Sequence, residues 1–246
     1  MDSYNNISEV FDLLNQAGIS YLVLRNYENL LAPDIYMNSH DDVDLLCADS
    51  QEVVRTLHAL TNRVDQSPFI GDGTHYYIYV GGEYVSLDLR YIGDDYYCEQ
   101  WEKDLLNRRV MHDGFYVMNE EDYFYTLIYH AVLQKESLSE EYLSRLLEMA
   151  AKLDVTLIER SESGLLRLLE LYMQKHSYRF VYPYDFLVPA RFHLVKTKLI
   201  KFNWKRMYQH NRYWSRRKTI EILVRIKHTI QGMYYIWIFH CFNLIQ

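Results

Sequence analysis

Only three cysteines, four prolines and nine glycines occur among the 246 residues. Each shortage excludes something. Cys47, Cys98 and Cys241 are odd in number and widely spaced, so no disulfide framework is expected and a reduced compartment is. No Cys/His spacing fits zinc. Few glycines and prolines beside 24 tyrosines and 49% apolar residues describe a chain with a sizeable core, not a disordered one. No internal repeat or low-complexity tract is present. The start, Met1-Asp2-Ser3-Tyr4-Asn5-Asn6, lacks a basic n-region and an apolar h-region, so no signal peptide is expected and a cytoplasmic location is. No Ser/His/Asp arrangement stands out. Gly71-Asp72-Gly73 reads as a turn, because no glycine fingerprint opening a helix accompanies it.

The net charge of −7 hides an asymmetry. From Arg191 onward the cations are Arg191, Lys196, Lys198, Lys201, Lys205, Arg206, Arg212, Arg216, Arg217, Lys218, Arg225 and Lys227, against Glu221 alone. Phe192, Phe202, Trp204, Tyr208, Tyr213 and Trp214 are interleaved with them. The run Met233-Tyr234-Tyr235-Ile236-Trp237-Ile238-Phe239 then follows, shorter than the ~20 residues a membrane span needs. Three readings stay open for residues 191–245. They are peripheral contact with the inner face of a membrane, a core helix with a solvated cationic face, and nucleic-acid binding, the least favoured.

Asn6-Ile7-Ser8-Glu9 is a capping box, Val10, Phe11, Leu13, Leu14 and Ala17 recur at helical spacing, and Gly18 closes that helix. Ile19 to Leu24 is a short strand, Asn26 to Ser39 a polar connection holding Pro33, and Val43 to Ala48 a second strand. Asp49 or Ser50 caps a helix through Leu60. His75 to Val80 and Tyr84 to Tyr91 form a hairpin about Gly81-Gly82, and Arg109 to Met118 forms a weaker one about Asp113-Gly114. Helices are expected over Tyr123 to Gln134, from a capping box at Ser137-Leu138-Ser139-Glu140 to about Leu153, and over Ser163 to His176. Tyr182 to Pro189 reads as a linker. The order predicts an α/β chain with a small mixed sheet covered by helices and a C-terminal helical region. The expected divisions are 1–119, 120–189 and 190–246.

The chemistry concentrates in His40-Asp41-Asp42-Val43-Asp44-Leu45-Leu46-Cys47 and in Leu87-Asp88-Leu89. Strand side chains alternate, so Asp42 and Asp44 share one face while Val43 and Leu45 face the core. Asp41 falls out of phase and reads as a turn residue; Cys47 reads as a small core residue. Asp88 shares its face with Tyr84, Ser86 and Arg90. Three carboxylates on adjacent strands repel unless a cation lies between them, and paired Mg²⁺ ions are the usual solution.

Tyr21-Leu22-Val23-Leu24-Arg25-Asn26-Tyr27-Glu28, Asp42-Val43-Asp44-Leu45-Leu46 and Leu87-Asp88-Leu89 together resemble the nucleotidyltransferase superfamily typified by DNA polymerase beta. The likeness is strongest to bacterial nucleotidyltransferase family proteins associated with surface-glycan gene clusters, and it covers about residues 7 to 135. It implies a catalytic domain over 1–119 and transfer of a nucleoside monophosphate from a nucleoside triphosphate such as ATP to an acceptor hydroxyl. Asp42 and Asp44 would bind two Mg²⁺ (or Mn²⁺) ions, and Asp88 the one that activates the acceptor oxygen. The acceptor would be a small molecule or a glycan, in polysaccharide or glycolipid biosynthesis. The superfamily usually has Gly-Ser after the first strand; here Arg25-Asn26 stands there. Arg25 either grips phosphate or pairs structurally with Asp42 or Asp88. Arg90 either meets phosphate or neutralises the cluster. His130 and Lys135 match nucleotide-contacting positions of the family, although a core-edge histidine and a surface lysine would look the same. His75 is near the sheet with nothing marking it as a ligand. The rival functions are protein modification of the adenylylating-antitoxin type and a catalytically silent binding or scaffold subunit.

Overall fold

The computed structural model describes residues 3–28, 30–31, 42–61, 75–156, 159–185 and 187–243, with side chains up to residue 227. The connection through Pro33, the role of Asp41 and the turn at Gly71-Asp72-Gly73 lie outside these residues.

The chain opens with β1 (Ser3–Tyr4) and α1 (Ile7–Gln16). Asn6 caps α1 by accepting the Glu9 N–H at 3.1 Å. The Glu9 carboxylate returns to the Asn5 N–H at 2.9 Å, one residue earlier than a standard capping box. β2 (Tyr21–Val23), β3 (Asp42–Cys47), α2 (Ser50–Thr56) and β4 (Leu60–Thr61) follow, then β5 (His75–Val80) and β6 (Glu83–Tyr91). Next come α3 (Glu99–Asn107), β7 (Val110–His112), β8 (Phe115–Val117) and α4 (Glu120–Ile128), which continues into a π-helical turn, Tyr129–Leu133. α5 (Glu140–Lys152), α6 (Glu162–Lys175), β9 (Phe180–Val181), β10 (Ile200–Lys201) and α7 (Trp204–Asn243) complete the described residues.

The main sheet is mixed and eight-stranded, in the order β1-β5-β6-β3-β2-β8-β7, with β4 on β5. The expected α/β class is what the structure shows, and both glycine hairpins form. β2 divides the core by its alternation. Tyr21 and Val23 join Val43, Leu45, Leu87 and Leu89 under α1 and α2. Leu22 and Leu24 join Leu46 and a cluster around Trp101 under α3 to α6. The sheet is therefore covered on both faces, and the even-numbered face of β3 and β6 belongs to the α3–α6 side. Asp42 and Asp44 lie on that face beyond Leu46, which is fully buried.

The elements differ from expectation in several places; α4 starts at Glu120, capped by Asn119, rather than at Tyr123. α2 stops at Thr56 rather than Leu60, because His58 turns to φ +46° and the Ala59 N–H closes back on Val54 O at 3.0 Å. Leu60 then enters the sheet opposite Tyr77. The helix expected from Ser137 is capped by Ser139, whose Oγ accepts the Tyr142 N–H at 3.2 Å, so Glu140 is its first residue and not the third. α3 was not foreshadowed. Cys98 at its N-cap offers no side-chain bond, and only packing of Trp101, Leu105 and Leu106 identifies the helix. The chain divides into two compact units, Met1–Asn203 and Trp204–Gln246.

Candidate metal and phosphate site

β3 and β6 run parallel with Asp42 opposite Ser86 and Asp44 opposite Asp88. This register, across 43 residues of chain, brings the acids together. One carboxylate oxygen from each of Asp42, Asp44 and Asp88 lies within 4.8 Å of the others. Asp42 is exposed, and Asp44 and Asp88 are half-buried. Although Asp42 is exposed as a residue, partial desolvation of its carboxylate raises its pKa above the usual range, and the negative charges of Asp44 and Asp88 add to it. The cluster thus stores repulsion that a divalent cation would relieve. Three hard oxygen donors at this spacing fit Mg²⁺ or Mn²⁺.

Two basic side chains already adjoin the acids. Arg25 follows β2, whose next residue, Leu24, donates its N–H to Asp44 O at 2.9 Å. From there the Arg25 guanidinium reaches Asp44 Oδ2 at 2.8 Å with Nη2 and the Tyr96 hydroxyl at 2.8 Å with Nη1. Its burial disfavours charge, but Asp44 and Tyr96 more than offset this and hold it protonated. Of the alternatives left open for Arg25, the resting contact is an ion pair, with Asp44 as partner. Asn26 sits at φ +55°, the left-handed region that asparagine tolerates and glycine prefers. Its Oδ1 accepts from Arg145 at 3.3 Å.

The second basic group is His75, to which the sequence assigns no role. Its Nδ1 lies 2.7 Å from Asp88 Oδ1. Burial would raise the Asp88 carboxyl, yet this bond and the charges of His75, Arg90 and Arg25 hold it below the usual range. The signal was present in the hairpin. A two-residue turn at Gly81-Gly82 pairs Val80 with Glu83, and the same register carried back pairs His75 with Asp88.

The other sequence candidates are placed as follows. Arg90 is buried, lies 4.6 Å over the Tyr96 ring, and directs Nη1 and Nη2 to Asp185 Oδ2 at 3.2 Å each. Asp185 comes from the stretch that reads as a linker. His130 is buried in the π-helical turn, with Nδ1 at 3.2 Å from Gln134 Oε1 and 3.4 Å from the Tyr96 hydroxyl. Burial, then Arg25 and Lys135, push its pKa well down, so the imidazole is neutral. Lys135 is exposed just after that turn. The structure therefore gathers Arg25, Asp42, Asp44, Asp88 and His75 at one place, with Tyr96 linking Arg25 to His130.

Tyr96 is fixed by a second acidic device. Glu102, fully buried, accepts the N–H groups of Gly93 at 2.8 Å and Tyr97 at 3.0 Å. Asp94 accepts that of Tyr96 at 2.8 Å. The two carboxyls hydrogen-bond each other, and burial with this pairing pushes Glu102 up to about 9, so the pair holds a proton at neutral pH. The folded state binds that proton more tightly than the unfolded chain. Its stabilisation is complete below the ordinary carboxylate range and is lost as pH rises through the raised value. Thermal melts should therefore fall steadily from pH ~5 to pH ~9. Asp94→Asn supplies an amide donor in place of the proton and should flatten this slope. An unchanged slope would refute the shared proton.

Beside the loop that holds Arg25 and Asn26 is a cleft of about 250 Å³. Tyr27 and Tyr123 form part of its wall, with Glu28, Arg145 and Lys152. Arg145 bonds both Glu28 and the Tyr123 hydroxyl.

No protein-family model and no curated protein matches this chain. Three solved structures resemble it. The antibiotic-resistance factor ANT(2'')-Ia is 10% identical over 70% of this chain and 91% of its own, with a TM-score of 0.36. An antigenic nucleotidyltransferase-like protein from Paracoccidioides brasiliensis is 13% identical over 69% and 86%, with a TM-score of 0.38. A tRNA-processing enzyme in an apo form is 13% identical over 87% and 62%, with a TM-score of 0.24. At such values the reading of the site rests on its own geometry.

Proposed function

We propose that this chain is a divalent-metal-dependent nucleotidyltransferase, moving a nucleoside monophosphate from a nucleoside triphosphate to an acceptor hydroxyl and releasing pyrophosphate. The observation that carries this reading is the parallel register that sets Asp44 beside Asp88 with Asp42 two residues away, their oxygens within 4.8 Å. Mg²⁺ bound there would lower the pKa of the acceptor oxygen and offset charge developing on the phosphoryl group.

Asp42 and Asp44 are assigned to hold both ions, and Asp88 to hold the one on the acceptor side. His75 fixes one Asp88 oxygen by its 2.7 Å contact and leaves the other for the ion. Arg25, with Nη2 on Asp44 and Nη1 on the Tyr96 hydroxyl, is assigned to steady the triphosphate with the positive charge that these two contacts hold in place. His130 acts through Tyr96, which positions Arg25. Arg90 neutralises the acids from behind while paired to Asp185, and Lys135 is assigned an outer phosphate contact. The cleft is lined by Tyr27 and Tyr123 with the hydrogen-bonding side chains of Glu28 and Arg145, a mixed aromatic and polar wall that suits a polyhydroxyl acceptor such as a sugar.

One observation favours the silent-scaffold alternative: Arg25 already supplies a cation to Asp44 at 2.8 Å. Thermal melts with ATP, GTP, CTP and UTP, each with and without Mg²⁺, separate the two. A nucleotide at about 100 times its Kd should add ~2.7 kcal/mol of stability, and only with metal. No shift with any nucleotide would leave the scaffold reading. Labelled triphosphate incubated with cell extract then reports the acceptor: label in protein would support the antitoxin-type reaction, and label in small, protease-resistant products the sugar.

A further inference from the structure

The proposed reaction uses nothing beyond Asn203. Trp204–Asn243 is one continuous helix of 40 residues, and among the described residues it is the only element of the second compact unit. A lone helix has no interior, so its own unit offers its apolar residues no cover. Charge is segregated along it. Residues 204–227 hold eight cations, Lys205, Arg206, Arg212, Arg216, Arg217, Lys218, Arg225 and Lys227, and the single acid Glu221, which Arg217 engages at 2.9 Å. No Asp, Glu, Lys or Arg occurs from residue 228 to 246, and residues 233–239 are without exception apolar or aromatic. The remaining 203 residues carry 18 Lys and Arg against 32 Asp and Glu. At 100° per residue the eight cations spread over about two thirds of the circumference and leave a wedge of roughly 120° that holds Tyr208, Ser215, Ile222 and Ile226. Charge is divided chiefly between the two ends of the rod, with one cation-free side along the cationic end.

We propose that α7 docks on an anionic lipid bilayer. Its cationic half rests against headgroup phosphates, and the segment 233–239 enters the boundary between headgroups and acyl chains. Tyrosine and tryptophan are the side chains that favour that boundary, and 233–239 holds two Tyr and one Trp. The other occupants fit less well. A nucleic acid would meet the cations but has no use for seven consecutive apolar and aromatic residues. Parallel pairing with a second copy would bring eight cations against eight, and antiparallel pairing would set the cationic half of each helix against the apolar half of the other. No helix among the described residues is long and apolar enough to cross a membrane.

The test uses the full chain and sedimentation with phosphatidylcholine vesicles, with and without phosphatidylglycerol. The chain should pellet with the anionic vesicles only, and release in about 1 M salt, where the Debye length is ~3 Å. A cation near such a surface is worth roughly fivefold in binding, so Arg216→Gln/Arg217→Gln/Lys218→Gln should weaken partition about 100-fold. Trp237→Ser/Phe239→Ser keeps every charge and should weaken partition into the same anionic vesicles about tenfold or more. Equal pelleting with both vesicle types, or a triple variant that binds as well as the parent, overturns the proposal. So does binding to duplex RNA or self-association with no vesicle binding. Nucleotide-induced melting shifts in the same variants report on the catalytic reading separately, since none of these positions belongs to it.

Discussion

Asp42→Asn is expected to act in two opposite directions, lowering nucleotidyl transfer by ~10³-fold or more while raising the melting temperature of the metal-free protein. Both follow from one fact. Partial desolvation of the Asp42 carboxylate, with the like charges of Asp44 and Asp88, raises its pKa. A raised carboxyl stabilises the fold below the ordinary range and loses that contribution as pH rises through the raised value, so at neutral pH ionised Asp42 is a net burden. The amide removes the charge at nearly constant shape. It also removes a ligand, so Mg²⁺ should no longer shift the melt, whereas the parent should gain from it. Scanning calorimetry in chelator and in Mg²⁺, beside turnover of labelled triphosphate, measures both effects. A variant that is less stable without metal would mean the acids are held by protein cations alone. A variant that keeps its activity would remove Asp42 from the reaction. Asp44→Asn should be inactive too but less stable, because Asp44 and not Asp42 holds Arg25 at 2.8 Å.

Local signals read through to the structure wherever a few neighbouring residues decide the outcome. The alternation of Asp42-Val43-Asp44-Leu45 set the acidic face, Gly81-Gly82 set a hairpin, and Asn6 and Asp49 set helix starts. The fold class followed from these. What remained hidden depends on pairings distant in sequence. No local pattern states that β6 pairs with β3 in parallel with Asp44 opposite Asp88; the expectation that Asp88 joins Asp42 and Asp44 comes from the family resemblance, and the register that brings them together does not. Nor does anything near Tyr182 to Pro189 announce that Asp185 is the partner of Arg90, 95 residues away. Glu102 illustrates the same limit. On a helix reading it is one more surface acid, and only the close return of Gly93 and Tyr97 makes it a buried, protonated clamp. His75 was accessible by carrying the hairpin register to its end, a step that short-range propensity does not prompt. The contrast between Ser137 and Ser139 is narrower. Both serines precede Glu140, and choosing between them needs the packing that fixes where α5 begins.

Arg25→Met should be the most destabilising single change at the site. The guanidinium is buried and holds both Asp44 Oδ2 and the Tyr96 hydroxyl, so its loss leaves Asp44 without its cation and Tyr96 without a donor. Breaking one side of a buried pair costs ~3–5 kcal/mol. For a chain of this length that corresponds to a fall of roughly 10 °C in Tm. The same principle predicts rescue by two routes. Arg25→Met/Asp44→Leu removes both charges and should recover most of the loss, because paired charges replaced by apolar groups are often neutral in cost. Mg²⁺ should restore part of it in the single variant, since an ion between the acids supplies the missing positive charge. Arg25→Lys separates structure from catalysis. A lysine can keep a cation beside Asp44 but lacks the planar fork, so Tm should hold within a few degrees while KM for the triphosphate rises about tenfold. Equal KM with reduced Tm would make Arg25 a structural counter-ion and return the phosphate contact to other residues. Failure of Mg²⁺ to stabilise Arg25→Met, while the double variant recovers, would show that the acids answer only to arginine and would remove the metal from the proposed reaction.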